Sequence, residues 1–194
     1  MAKVAKQLDV TTMALYRHVD NKEQLVELMV HAAAGTPPPL PTDRGWRGAI
    51  EAWAYAQAAM LRRRFWMLDA PMLGIPSGPN HVAWVEAGAA ALKATGLPVD
   101  TRFAIVTSLS SFLRQDLSMT LELERSKGEQ SWQELEREYA QTLANLIDPD
   151  EHPEMYQMVT SDVWGTGSVD EDLAFSLGLF LDGVEAYAAR HAKP

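Results

Sequence analysis

The fold class expected from this chain is all-α, a small helix-turn-helix head followed by a larger helical body. Three observations predict it. Apolar residues recur every three or four positions along most of the sequence, as in Phe103, Val106, Leu109, Leu113 and Leu117. Helix caps and stops punctuate these stretches, for example Ser131 with Glu134 and the run Gly96-Leu97-Pro98. No run alternates apolar and polar residues as a half-buried strand would, and no repeat or heptad array is present.

The head comes first. Val4, Ala5 and Leu8 make the apolar stripe of a short helix, and Asp9-Val10-Thr11-Thr12 supplies a turn with two candidate N-caps. Leu15, Tyr16 and Val19 form a second stripe, preceded by the polar or small Thr11, Thr12, Met13 and Ala14. In a helix-turn-helix the second helix enters the major groove and leaves its N-terminal residues free for bases. Asp20 and Glu23 then predict a capping box for a third helix, with Leu25, Val26, Leu28 and Met29 as its buried side.

Gly35 stops that helix, and Pro37-Pro38-Pro39-Leu40-Pro41 forms a stiff extended connector. It separates two expected domains, residues 1–35 and 42–194. The body opens with a helix from Thr42 or Asp43 to about Arg64, carrying Trp46, Ile50, Trp53, Gln57, Met60 and Leu61, and its cationic end Arg62-Arg63-Arg64 complements the helix dipole. Phe65 to Leu68 continue as a short apolar turn, and Pro71 to Pro79 are too rich in Pro and Gly to be regular, so this apolar loop should lie against other groups. Asn80 is the expected cap of the next helix, through Val82, Trp84, Val85 and Leu92 to Gly96. Asp100 is the expected cap of a helix to about Glu124, apolar on two sides, with Thr107, Ser108, Ser110 and Ser111 forming a slim strip. Ser131 starts a helix through Ile147, Pro153 one to about Val159, and Asp170 the last, to about His191, with Leu173, Leu177, Leu181 and Val184 on one stripe.

Composition narrows the class. The 194 residues are 47% hydrophobic, enough for a sizeable core, and there is no cysteine for disulfides or thiolate metal sites. No apolar run approaches the ~20 residues of a membrane span, and the N-terminus lacks the apolar core of a signal peptide, so a cytoplasmic protein is expected. A net charge of -9 argues against general coating of nucleic acid, though not against a small reading head. The sequence has no G-x-S-x-G, H-E-x-x-H or phosphate-cradling glycine loop, and its His residues are scattered, so no enzyme and no cofactor is expected.

The run VAKQLDVTTMALYRHVDNKEQLVELM resembles the signature block of the tetracycline-repressor-like transcriptional regulators: V/L-A-x-x-L-G-V, then L-Y-x-H-V, then x-N-K-x-x-L, with the same gaps. The match covers roughly the first 30 residues. Asp9 stands where the family usually has Gly, which places a non-glycine residue at a left-handed turn. The family's head has a further helix before this block, so the head is expected to be N-terminally incomplete. Three explanations stay open: a start further upstream, a loss that affects DNA binding, or another surface covering the gap. LDGVEA, Leu181 to Ala186, resembles the dimerising helix of many members.

The resemblance implies base-reading roles for Thr12, Met13, Ala14 and Tyr16, with Arg17 and His18 beside them, and a phosphate contact for Lys22. It implies double-stranded operator DNA as a partner and a homodimer built from the helices near 103–124 and 170–191. For the small-molecule inducer, aromatic, Met and amide side chains of the body are candidates for an apolar lining: Trp53, Gln57, Met60, Trp66, Met72, Trp84, Phe112, Gln115 and Met119. Tetracycline-responsive members hold a metal chelate through His residues; Met72 stands at one such position here and His81 is displaced, which implies a metal-free apolar or aromatic inducer. The resulting expectation is a ligand-responsive repressor released from a palindromic operator. The alternative from another class is a helical small-molecule-binding or dimerisation protein that no longer binds DNA.

Overall fold

The computed structural model describes residues 1–70, 78–166 and 168–191, and every regular element among them is helical. The head holds α1 (Ala2–Gln7), α2 (Thr12–Leu15) and α3 (Lys22–Ala34). The body holds α4 (Gly45–Arg63), α5 (Trp66–Asp69), α6 (Pro79–Ala91) with a 3-10 turn at Lys93–Thr95, α7 (Val99–Ser126), α8 (Trp132–Ala144), α9 (Pro153–Val159) and α10 (Val169–His191). The chain divides into two compact units, one of Met1–Leu117 with the chain from Ala186 onward, the other Ser118–Glu185. No helix among the described residues is long and apolar enough to cross a membrane.

The turn between α1 and α2 bends at Asp9, whose φ of 53° is the one positive value at a described non-glycine residue. Thr11 is the cap of α2, its hydroxyl accepting the Ala14 N–H at 3.1 Å. The cap of α3 lies one residue later than the sequence pattern suggests. Asn21, in extended backbone, accepts the Gln24 N–H at 2.7 Å, and the Gln24 side chain reaches back to the Asp20 N–H. Asp20 and Glu23 therefore do not form the box, because the reciprocal pair is set by where the chain turns extended.

The head buries less than its stripes suggest. Only Ala5 and Val19 are fully enclosed, while Leu8, Val10, Tyr16, Leu28 and Met29 are exposed. A six-residue α1 and a four-residue α2 offer too little surface to cover two sides of the 13-residue α3.

In the first unit α4 turns its face of Ile50, Trp53, Ala54, Ala58 and Leu61 inward. It starts at Gly45 rather than Thr42 or Asp43, because Gly45 takes φ 63°, outside the helical range. Arg62 and Arg63 lie in its last turn, at the negative end of the dipole. Pro79 opens α6 as its first residue, where a missing N–H costs nothing, so Gly78 is the cap and the Asn80 amide is free for another partner. Gly88 lets α6 approach closely: a Cβ there would lie 3.0 Å from both the Trp53 ring and a Val106 methyl. α7 starts at Val99, one residue before the expected Asp100, whose carboxylate accepts the Thr101 N–H. It buries one stripe, Val106, Leu109, Leu113, Leu117 and Leu121; the second apolar side expected for it is open, with Phe103 52% and Met119 61% exposed. Arg114 donates to the carbonyls of Met67, Leu68 and Ala70, capping α5, and burial lowers its pKa. The expected loop from Pro71 lies outside the described residues up to Ser77.

In the second unit the Ser131–Glu134 capping box forms as the sequence suggests, and its hydrogen bonds from Ser131 hold the Glu134 pKa below the usual carboxylate value. α8 ends at Ala144, before Ile147. Tyr139 and Trp164 meet edge to face at 6.0 Å, and the Gly165 N–H donates to Glu136 at 2.8 Å. Along α10, Leu173, Leu177, Leu181 and Val184 are all buried.

Candidate functional site

Around α2 the side chains fall into two sets. Val19 points into the head, whereas Met13 is 74% and Tyr16 45% exposed, and Arg17 and His18 are exposed as well. Tyr16 thus leaves the apolar stripe that its spacing with Leu15 and Val19 suggests. Thr12 and Ala14 are half-buried at the start of the helix. Lys22 is the first residue of α3 and exposed, a cation at the positive end of a helix dipole, where it gains nothing from its own helix.

The end of α3 is tied to the body by side chains of α6. Trp84 Nε1–H donates to the carbonyl of Gly35, the residue that closes α3, at 3.0 Å. One turn earlier on α6, the Asn80 amide donates to the carbonyl of His31 at 3.0 Å. The His31 ring lies against Gly78, where a Cβ would come within 3.2 Å of it, and its Nδ1 is enclosed without a hydrogen-bond partner. Trp84 is in turn held from the core: the Trp53 Nε1–H donates to its backbone carbonyl at 2.8 Å, and the two indoles meet edge to face at 6.1 Å. A continuous set of polar contacts therefore runs from the middle of α4 through α6 to the last residues of the head.

The candidate lining residues divide by exposure. Trp53, Met60 and Trp84 are buried, and Gln57 and Phe112 are half-buried. Trp66, Gln115 and Met119 are exposed, and Met72 lies outside the described residues. Gln57 stands one turn beyond Trp53 on α4 and donates from Nε2 to the Ser110 hydroxyl of α7 at 3.3 Å, while its Oε1 is shut off from solvent without a partner. A separate open groove of about 690 Å³ runs between the proline connector and α4 and α6, lined by Pro38, Leu40, Trp46, Ala49, Ala87 and Ala90 among others, and none of the nine candidates borders it. No group of three or more His, Cys, Asp or Glu among the described residues is placed to hold a metal ion.

Sequence reasoning assigned Asn80 to a helix cap and Ser110 to a slim strip, and did not single out Gly88. Each acts through a partner at least 18 residues away in the chain, Val106 being the nearest such neighbour of Gly88. Local patterns carry no trace of such pairs.

A helix-turn-helix head whose last helix is bonded into an all-helical body defines the class, that of helix-turn-helix regulators with a helical C-terminal domain. The chain belongs to the tetracycline-repressor-like family of transcriptional regulators: the family description "Tetracyclin repressor-like, C-terminal domain" matches residues 38–188. The HTH-type transcriptional repressor DrrR1 of Streptomyces coeruleorubidus is 28% identical over 197 residues, spanning 98% of this chain and 71% of that protein. Among solved structures, the TetR family protein ActR of Streptomyces coelicolor in complex with actinorhodin superposes with a TM-score of 0.78 at 17% identity, covering 97% of this chain and 87% of that one. Apo ActR gives 0.75 at 19% identity over the same shares. At these identities the likeness to ActR is one of fold.

Proposed function

We propose that this chain is a ligand-responsive, DNA-binding repressor in which occupancy of the helical body sets the position of the head. The observation that carries the reading is the bonded path from Trp53 through Trp84 to Gly35, with Asn80 on His31 beside it. A body that merely accompanied its head would not need to fix the end of α3 at two carbonyls.

In this reading Thr12, Met13, Ala14 and Tyr16 meet base edges, with Arg17 and His18 beside them. The Thr hydroxyl serves a base or phosphate, and the Thr and Ala methyls suit thymine. Lys22 meets a phosphate, which would offset its unfavourable place at the α3 N-terminus. Two copies present two heads to a palindromic operator, whose half-sites one helical turn apart require a spacing of ~34–36 Å. The pairing surface is formed by α7 and α10: Phe175 and Leu179 are 69% and 58% exposed, and Gly178 and Gly183 of the same helix have open space above them. ActR was solved with actinorhodin, and DrrR1 is named a repressor; both support a small organic inducer and repression here. Of the candidates, Trp53, Gln57, Met60, Trp84 and Phe112 are the buried or half-buried ones that would supply an apolar, aromatic lining.

The test is fluorescence anisotropy of labelled DNA from the region upstream of the protein's own gene. Salt-sensitive, sequence-selective binding by a dimer is expected. A second reading, a helical ligand-binding protein without DNA binding, draws on the exposed Leu8 and Met13 of the head. Binding no tighter than to unrelated DNA at every salt concentration would favour it.

A further inference from the structure

We infer that Gln57 is the hydrogen-bonding reader of the body's ligand, and that the ligand is an uncharged hydroxylated aromatic whose O–H donates to Gln57 Oε1. The inference rests on the ligand-responsive reading above and adds a chemical class to it. The Gln57 amide has one end satisfied and one not: Nε2 donates to Ser110 Oγ, and Oε1 is enclosed with no protein donor. An enclosed carbonyl oxygen without a donor lowers stability, and an apolar side chain of similar size would avoid that loss. Its neighbours one turn away on α4, Trp53 and Leu61, are buried and apolar, so the surroundings call for a Leu or Met if packing were the only demand. A polar end kept unpaired in an aromatic setting is what a site needs when its partner arrives from outside.

The chemistry of this amide oxygen selects the partner. An amide oxygen accepts, so it favours a phenolic O–H and disfavours a carboxylate or an ether. Along α7 the cation nearest Ser110 is Arg114, one turn beyond it, and it is turned onto the carbonyls of Met67, Leu68 and Ala70. An uncharged donor is therefore favoured over an acid. Trp53, one turn from Gln57 on α4 and edge to face with Trp84, makes these surroundings aromatic.

The experiment is calorimetric titration of the full chain with 2-naphthol, 2-methoxynaphthalene and 1,4-naphthoquinone, which keep the fused ring and offer a donor, a capped oxygen and acceptors only. Wild type is expected to prefer 2-naphthol to 2-methoxynaphthalene by at least about tenfold. Gln57→Leu should bring the two within about twofold by weakening 2-naphthol alone, while the ligand-free variant melts no lower than wild type. Gln57→Met serves the same purpose if the Leu variant does not fold. Equal affinities in wild type, a preference for the quinone, selectivity that survives Gln57→Leu, or no binding by any of the three would each overturn the inference. Release of DNA by any of the probes with no naphthol preference would leave the regulator reading standing and remove only the role of Gln57.

Discussion

Adding one methyl group at Gly88 tests the packing on which the body-to-head path depends. A Cβ at this position would sit 3.0 Å from Trp53 Cε2, 3.0 Å from Val106 Cγ2 and 3.1 Å from Val106 Cγ1. Neither neighbour has room to retreat: both are fully buried, and Trp53 is pinned by its bond to the Trp84 carbonyl. Overpacking of this kind costs about 1–3 kcal/mol. Replacing Gly by Ala inside a helix returns roughly 0.8–1 kcal/mol of propensity. The expected net result for Gly88→Ala is a loss of about 1 kcal/mol, and a melting temperature lower by about 2–4 °C for a chain of this size. Gly178→Ala is the matched control, because nothing lies within 4 Å of a Cβ there. It should stabilise the isolated chain by up to about 1 kcal/mol while weakening self-association if α10 is the pairing surface. Thermal unfolding followed by circular dichroism, with analytical ultracentrifugation for association, reads both. Stabilisation by Gly88→Ala equal to that of Gly178→Ala would refute the close approach of α6 to Trp53 and Val106.

Two further outcomes follow from local geometry. Asp9 holds a φ of 53°, a region that costs a residue with a side chain up to about 1–2 kcal/mol; Asp9→Gly relieves this at some entropic loss and should stabilise the chain by less than about 1 kcal/mol in urea titration, whereas Asp9→Ala should destabilise it. Burial lowers the pKa of His81 from its ordinary 6.5, so below that pH the unfolded chain binds more protons than the folded one. Stability is therefore full above pH 6.5 and declines as the pH falls through the lowered folded value; His81→Gln should flatten that part of the pH–stability curve, and an unchanged slope would contradict the burial of the ring.

The elements were largely legible because local chemistry writes them. Ser131 with Glu134, Gly96 after the 3-10 turn and Pro153 at the start of α9 mark ends that the structure reproduces. Where the reading slipped, two local signals competed. Asp20 and Asn21 are both good caps, and the extended backbone at Asn21 decides between them; Asn80 is a good cap, but Pro79 already starts α6. The candidate site was legible only in its residue types. Trp53, Gln57 and Trp84 stood out as aromatic or amide groups on apolar helices, but the bond from Trp84 to Gly35 spans 49 residues and that from Gln57 to Ser110 spans 53. Those depend on how α3, α4, α6 and α7 pack, which periodicity along one helix does not encode.

The central claim is that the body controls the head through the Trp84 and Asn80 contacts with the end of α3. The direct measurement is the ratio of upstream-DNA affinities without and with saturating 2-naphthol, in wild type and in the double variant Trp84→Phe with Asn80→Ala. Each contact removed is worth about 0.5–1.5 kcal/mol, and couplings between sites are typically ~1–3 kcal/mol. The wild-type ratio should therefore fall by about fivefold or more in the double variant, with 2-naphthol raised to saturation for each protein by calorimetric titration. An undiminished ratio in a folded double variant would contradict the claim.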